Sequence, residues 1–165
     1  MSPARAVATV AGIGLLRPAP GTWGTLAALP LAWALHVLAG PVGVIAGLVA
    51  VFLAGWWAVD RAAAGEADPD RSEFVIDEVA GMLLALLPVT VGAWARGVDV
   101  LALWPGWVAA FLLFRLFDIW KPGPIGRADR MHTPLGVMLD DIWAGVFAAI
   151  GVVLLALVAH GVMGW

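Results

Sequence analysis

Val37-Leu38-Ala39-Gly40-Pro41-Val42-Gly43 lies in the middle of a run, Trp23 to Val59, that contains no Asp, Glu, Lys or Arg. A run this long and uncharged points to a membrane, whose hydrocarbon core is crossed by about 20 apolar residues. Glycine followed by proline interrupts a helix. Gly40-Pro41 therefore divides the run into two spans of roughly 17–19 residues, each close to the length a bilayer needs. Two crossings here, rather than one, set the sidedness of every later segment.

The rest of the chain carries the same signal. Its 165 residues are 62% hydrophobic and only 13% charged, too apolar for a soluble domain of this size. The length allows one domain, 1–165. Cysteine is absent, which excludes disulfides, thiolate metal sites and cysteine nucleophiles. N-terminal to the run, Ala6 to Leu16 is apolar but too short to span, and Arg17-Pro18-Ala19-Pro20 is a poor cleavage site for a signal peptide. An interfacial segment retained in the mature protein is expected there. Pro20-Gly21-Thr22-Trp23-Gly24-Thr25 reads as a turn and a helix start, with Thr22 or Thr25 as a cap.

C-terminal to the run, Asp60 to Glu73 is a polar loop. A third span opens at Phe74 and runs to about Ala95, kinked by Pro88. Arg96 to Asp99 is a short turn, and a fourth span covers about Val100 to Phe117. Asp118 to Leu139 is a second polar loop, and Asp140-Asp141 opens a fifth span ending near Val162. The expected fold is an all-α polytopic membrane bundle of about five transmembrane helices.

Basic residues fix the orientation. With the N-terminus inside, Arg5, Arg17, Arg61, Arg71, Arg115, Lys121, Arg127 and Arg130 fall on or near the cytoplasmic side, and Arg96 falls outside. The tryptophans agree. Trp23, Trp56, Trp57, Trp120 and Trp143 form an inner belt, and Trp94, Trp104, Trp107 and Trp165 lie toward an outer one.

This arrangement collects acids at one membrane face: Asp77-Glu78, Asp118 and Asp140-Asp141, with Asp129 in the loop between the last two. Acids at helix starts are ordinarily caps that favour the macrodipole. Capping cannot account for Asp118, which ends a helix, where the dipole disfavours a carboxylate. Arg115, three residues earlier, shares its face. A bound metal is the other source of compensating charge, and oxygen-only ligands suit Mg²⁺ or Mn²⁺. Gly81 and Gly145 each follow an acid by four residues, so each lets a neighbouring helix approach beside an acidic pair. Arg115, Lys121, Arg127 and Arg130 stand beside the acids. Metal-holding acids next to phosphate-holding bases are the parts that phosphoryl transfer uses. Thr22 and Thr25, with the amides of their helix start, are further donors to a phosphate. Asp68-Pro69-Asp70 has the spacing of an aspartyl-phosphate motif, but no buried strand precedes it.

Several of these stretches, in this order, resemble the phosphatidylglycerophosphatase A family. They are Pro20 to Thr25, Val75-Ile76-Asp77-Glu78-Val79-Ala80-Gly81-Met82, Phe114-Arg115-Leu116-Phe117-Asp118-Ile119-Trp120-Lys121-Pro122 with Pro124-Ile125, Asp129-Arg130, and Gly136-Val137-Met138-Leu139-Asp140-Asp141 with Ala144-Gly145. The resemblance spans about Gly12 to Gly151. One departure is Thr133-Pro134, where that family commonly has Gly-Gly. The resemblance implies a bacterial inner-membrane, Mg²⁺-dependent phosphatase with its site at the cytoplasmic face. Its substrate would be phosphatidylglycerophosphate in the bilayer, hydrolysed to phosphatidylglycerol and phosphate. No nucleic-acid partner is expected.

On this reading Asp77, Glu78, Asp140 and Asp141 are expected as metal ligands. Asp118 completes the metal site or orients the attacking water, and Asp129 transfers a proton. Arg115, Lys121 and Arg130, with Thr22 and Thr25, bind phosphate oxygens. A transporter or ion pathway is the competing class. It would place ionisable residues near the midplane in broken helices, whereas Pro88 and Pro105 have no charged neighbours. A metal-dependent lipid-alcohol phosphotransferase also uses clustered Asp, but the expected Asp-Gly and Ala-Arg spacing is missing.

Overall fold

The computed structural model describes residues 1–65 and 69–163. Asp68, of the short acidic motif, and Trp165, of the expected outer belt, lie outside the described residues. Seven α-helices are described: α1 (Pro3–Ala8), α2 (Pro20–Ala62), α3 (Ile76–Ala85), α4 (Leu87–Arg96), α5 (Trp104–Trp120), α6 (Pro124–Asp129) and α7 (Pro134–Met163). Short 3₁₀ turns at Ile13–Leu15 and Val100–Leu103 precede α2 and α5.

Among the described residues, four segments are long and apolar enough to cross a membrane: Pro20–Ala62, Ile76–Arg96, Val100–Trp120 and Pro134–Gly161. The first is two crossings. Ala39 has φ −148° and Gly40 has φ 60° with ψ −152°, a backbone region open essentially to glycine alone. There the chain turns back on itself. A Cβ on Gly47 would lie 2.4 Å from the Leu35 side chain. A Cβ on Gly24 would lie 2.7 Å from Val75 Cβ, and one on Gly55 3.1 Å from the Ile76 side chain. Gly24 and Gly55 thus meet neighbouring residues, although an unbroken helix would hold them roughly 46 Å apart. The hairpin expected from Gly40-Pro41 is present, and the bundle has about five crossings.

The second of these segments, α3 with α4, is the central post. Of its apolar stretch 67% is buried, against 11%, 17% and 22% for the other three segments. It breaks at Leu86, because Pro88 has no amide hydrogen to continue the helical ladder. Gly97, with φ 62°, ends α4. Around this post Met82, Leu83, Leu86, Phe114, Ala144 and Ala148 form the core. The outward faces keep exposed Leu38, Val42, Leu112 and Leu157, as a lipid-facing surface does.

Two glycines bring α3 and α7 into backbone contact. A Cβ on Gly81 would lie 2.5 Å from the Asp141 carbonyl oxygen, and one on Gly145 would lie 2.4 Å from that of Gly81. Neither position has room for a side chain, which is how small residues allow helices to approach in a membrane.

Helix boundaries differ from the sequence reading around the second polar loop. α5 continues to Trp120 and ends on Lys121 in a left-handed conformation, φ 50°. The loop contains α6. The last helix starts at Pro134, not at Asp140. The Thr133 hydroxyl oxygen accepts from the Gly136 amide at 3.0 Å, and the Thr133 carbonyl accepts from Val137 at 3.0 Å. Thr133 is therefore the N-cap and Pro134 the first helical residue, the position where proline's missing amide hydrogen costs nothing. Asp140 and Asp141 lie about two turns inside the helix, so capping does not explain them.

At the acidic end, α1 docks on the segment leading into α3. Val75 donates its amide to Ala8 O at 2.9 Å, and Arg5 pairs with Glu73 at 2.9 Å. Leu15 and Leu16 remain exposed beside it. Trp23, Trp56, Trp57, Trp120 and Trp143 are exposed toward this end, whereas Trp94 lies against the Gly40 turn at the other. Arg96 is at that opposite end too, 3.2 Å from His160 of α7.

Candidate active site

Three helices deliver carboxylates to one point. Asp77 and Glu78 are in the first turn of α3, Asp118 is in the last turn of α5, and Asp141 is in α7. Carboxylate oxygens of Asp77, Glu78 and Asp141 all lie within 4.8 Å of one another. Asp77 and Asp141 are buried, with 7% and 3% of their surface exposed. Asp118 is near enough to both Asp141 and Glu78 for its charge to act on them. The close contact of Gly81 and Gly145 is what brings Asp141 of α7 beside the start of α3.

Charge is only partly balanced there. Arg115 Nη1 donates to Asp118 Oδ2 at 2.5 Å, joining residues one turn apart on α5. Asp77 Oδ1 accepts the Glu78 amide at 3.0 Å, a free amide of the helix start. Glu78 Oε2 is buried and has no hydrogen-bond partner among the described residues. Two ionised carboxylates about 4.8 Å apart repel by roughly 3 kcal/mol at an effective dielectric constant of about 20. A buried, unpaired carboxylate oxygen inside such a cluster is the donor set a hard divalent cation takes. The residues present fit Mg²⁺ or Mn²⁺.

The other acids and bases divide into a second group. Lys121 Nζ contacts Asp129 of α6 and reaches Asp140 Oδ2 of α7 at 2.7 Å. Asp140 Oδ1 accepts the Asp141 amide at 3.0 Å. Both oxygens of Asp140 are thereby engaged, and the residue stands outside the trio of Asp77, Glu78 and Asp141 whose carboxylate oxygens lie within 4.8 Å of one another. Burial opposes the charge on Lys121, but its hydrogen bonds to Asp129 and Asp140 outweigh this and hold the ammonium above the ordinary lysine range. Arg130 is exposed at the end of α6.

The start of α2 closes the site. A Cβ on Gly21 would lie 2.3 Å from Glu78 Oε1 and 3.1 Å from Arg115 Nη1. The backbone at Gly21 thus sits directly on the Glu78–Arg115 pair. Thr25 is fully buried and donates its hydroxyl to Gly21 O at 2.8 Å, while Thr22 is half-buried on the same turn. The sequence offers the Gly21 amide as a phosphate donor but does not disclose that its missing side chain leaves room for Glu78 and Arg115. The available signal was a glycine early in a helix, where a side chain is ordinarily tolerated.

The family model for phosphatidylglycerophosphatase A matches residues 6–156. A phosphatidylglycerophosphatase A from Haemophilus influenzae is 34% identical over 152 residues, covering 91% of this chain and 86% of that protein. One from Escherichia coli K12 is 37% identical over 147 residues, covering 84% and 74%. A putative phosphatidylinositol-3-phosphatase from Bacteroides thetaiotaomicron is 36% identical over 165 residues, covering 96% and 94%. No solved structure matches the chain.

Proposed function

Because the chain belongs to the phosphatidylglycerophosphatase A family, we propose that this membrane phosphatase hydrolyses the terminal phosphomonoester of phosphatidylglycerophosphate with the help of Mg²⁺. The observation that carries the reading is the convergence of Asp77, Glu78 and Asp141 around the unpaired Glu78 Oε2. These three carboxylates would hold the divalent ion, with Asp118 completing its site or orienting water. A bound cation would neutralise the acids and polarise the phosphoryl oxygens.

The chain's own residues then have distinct tasks. Arg115 has donors beyond the one given to Asp118, and a guanidinium suits phosphate oxygens. Asp118, beside Asp141 and held by Arg115, is placed to accept a proton from an attacking water. Water oxygen bonds to phosphorus, the bond to the glycerol oxygen breaks, and that oxygen takes a proton. The products are phosphatidylglycerol and inorganic phosphate. With the acids at one end of the bundle, the acyl chains stay in the bilayer while the headgroup reaches the site. The excess of Lys and Arg at this end supports a cytoplasmic orientation of the site in a bacterial inner membrane. A transport pathway is less well supported, because the helix breaks at Ala39–Gly40 and Leu86 hold no charged side chains.

The test is phosphate release by purified protein from phosphatidylglycerophosphate, phosphatidic acid and phosphatidylinositol 3-phosphate, with EDTA or added Mg²⁺. Phosphatidylglycerophosphate should be hydrolysed fastest. EDTA should lower the rate at least about 100-fold, and Mg²⁺ should restore it. Release that EDTA leaves unchanged would remove the metal from the account. Faster release from the phosphoinositide would reassign the substrate, as the name of the Bacteroides relative suggests.

A further inference from the structure

Lys121 is the first residue past α5, and its left-handed backbone, φ 50° and ψ 51°, is a region that disfavours a residue with a side chain. Such a conformation persists where surrounding contacts hold it. Here the contacts are Asp129 of α6 and Asp140 of α7, both taken by one ammonium. Of the three donors that an ammonium has, two are spent. Asp140 has one oxygen on Lys121 and the other on the Asp141 amide. Arg115 pairs with Asp118 and approaches Glu78 beside Gly21.

We infer that Lys121 is a positioning residue: its ammonium clasps α6 to α7 and occupies Asp140, leaving Asp141 as the ligand that α7 presents. This inference rests on the phosphatase reading for its catalytic consequence and not for the clasp itself. The clasp spans three helices in sequence, so it fixes where α7 stands relative to α5. That register determines whether Asp141 meets Asp118. Without the ammonium, Asp140 becomes a further uncompensated buried carboxylate beside the group. Neither Lys121 nor Asp140 then needs to touch phosphate or metal.

The experiment compares wild type with Lys121→Met, Lys121→Arg and Asp129→Asn. It measures kcat and KM for phosphate release together with amide hydrogen exchange of α6. In Lys121→Met, exchange at Ile125 and Ala128 should rise at least about tenfold as α6 loosens. Displacement of the site should lower kcat about 100-fold while KM changes by less than about threefold. Lys121→Arg should recover most of both losses. Asp129→Asn, which leaves the Lys121–Asp140 pair intact, should loosen α6 with a smaller fall in kcat, and it decides the matter if Lys121→Met fails to fold. A variant with unchanged α6 protection and a KM raised tenfold or more at preserved kcat makes Lys121 a phosphate ligand and overturns the proposal. Wild type that releases no phosphate, yet loses α6 protection on Lys121→Met, would overturn the phosphatase reading and keep the clasp.

Discussion

Asp141→Asn is expected to lower phosphate release by about 10³-fold while the protein still inserts and folds. Asp141 is the point where α7 joins the carboxylates of α3, and it also faces Asp118 of α5. The substitution keeps its shape and removes its charge. In the absence of metal, thermal stability should be unchanged or slightly higher, because one of several mutually repelling groups is gone. A residue retained for packing would show the reverse, lower stability with activity tracking the folded fraction. Phosphate release and thermal unfolding in the same detergent preparation separate the two. Retained activity in folded, metal-loaded Asp141→Asn would remove this residue from the chemistry.

The second large effect is expected at a residue with no side chain. Gly81→Val would place Cβ 2.5 Å from the Asp141 carbonyl oxygen and 2.5 Å from the Phe114 ring. A backbone atom cannot rotate away, so α3 and α7 must separate. Overpacking of this kind costs about 1–3 kcal/mol or more. Separation also carries Asp141 away from Asp77 and Glu78, so activity should fall about 100-fold even in the fraction that stays folded. Gly161→Val, where a Cβ would meet nothing within 4 Å, is the matched control and should be silent. Thermal unfolding and phosphate release of both variants provide the check. Equal behaviour would mean that the α3–α7 contact does not set the site.

Much of this architecture is legible in the sequence, because a bilayer restricts a chain to few solutions. The uncharged run from Trp23 to Val59 and its break at Gly40-Pro41 disclose the hairpin. Pro88 discloses the interrupted central post. The acids could be grouped because the basic residues orient every span and so bring Asp77, Asp118 and Asp141 to one end. Two things were hidden. The start of α7 depends on a cap, and Thr133-Pro134 resembles a stiffened loop until the Gly136 amide is seen on the Thr133 hydroxyl. The partner of each charge was also hidden, since helical spacing predicts neighbours on one helix but not across three. Asp140 and Asp141 are adjacent in sequence and about 100° apart around a helix. One therefore turns to Lys121 and the other to Asp77 and Glu78. Gly21 acquires its place against Glu78 and Arg115 only when α2 folds back beside α3.

The central claim is that acids from separate helices share one divalent ion. Mn²⁺ serves as a spectroscopic stand-in for Mg²⁺, and its binding to the purified protein can be followed by electron paramagnetic resonance without any substrate. Wild type should bind Mn²⁺ in competition with Mg²⁺, and Asp77→Asn, Glu78→Gln and Asp141→Asn should each weaken that binding at least about tenfold. Mn²⁺ affinity that is the same in wild type and in all three variants would contradict the account.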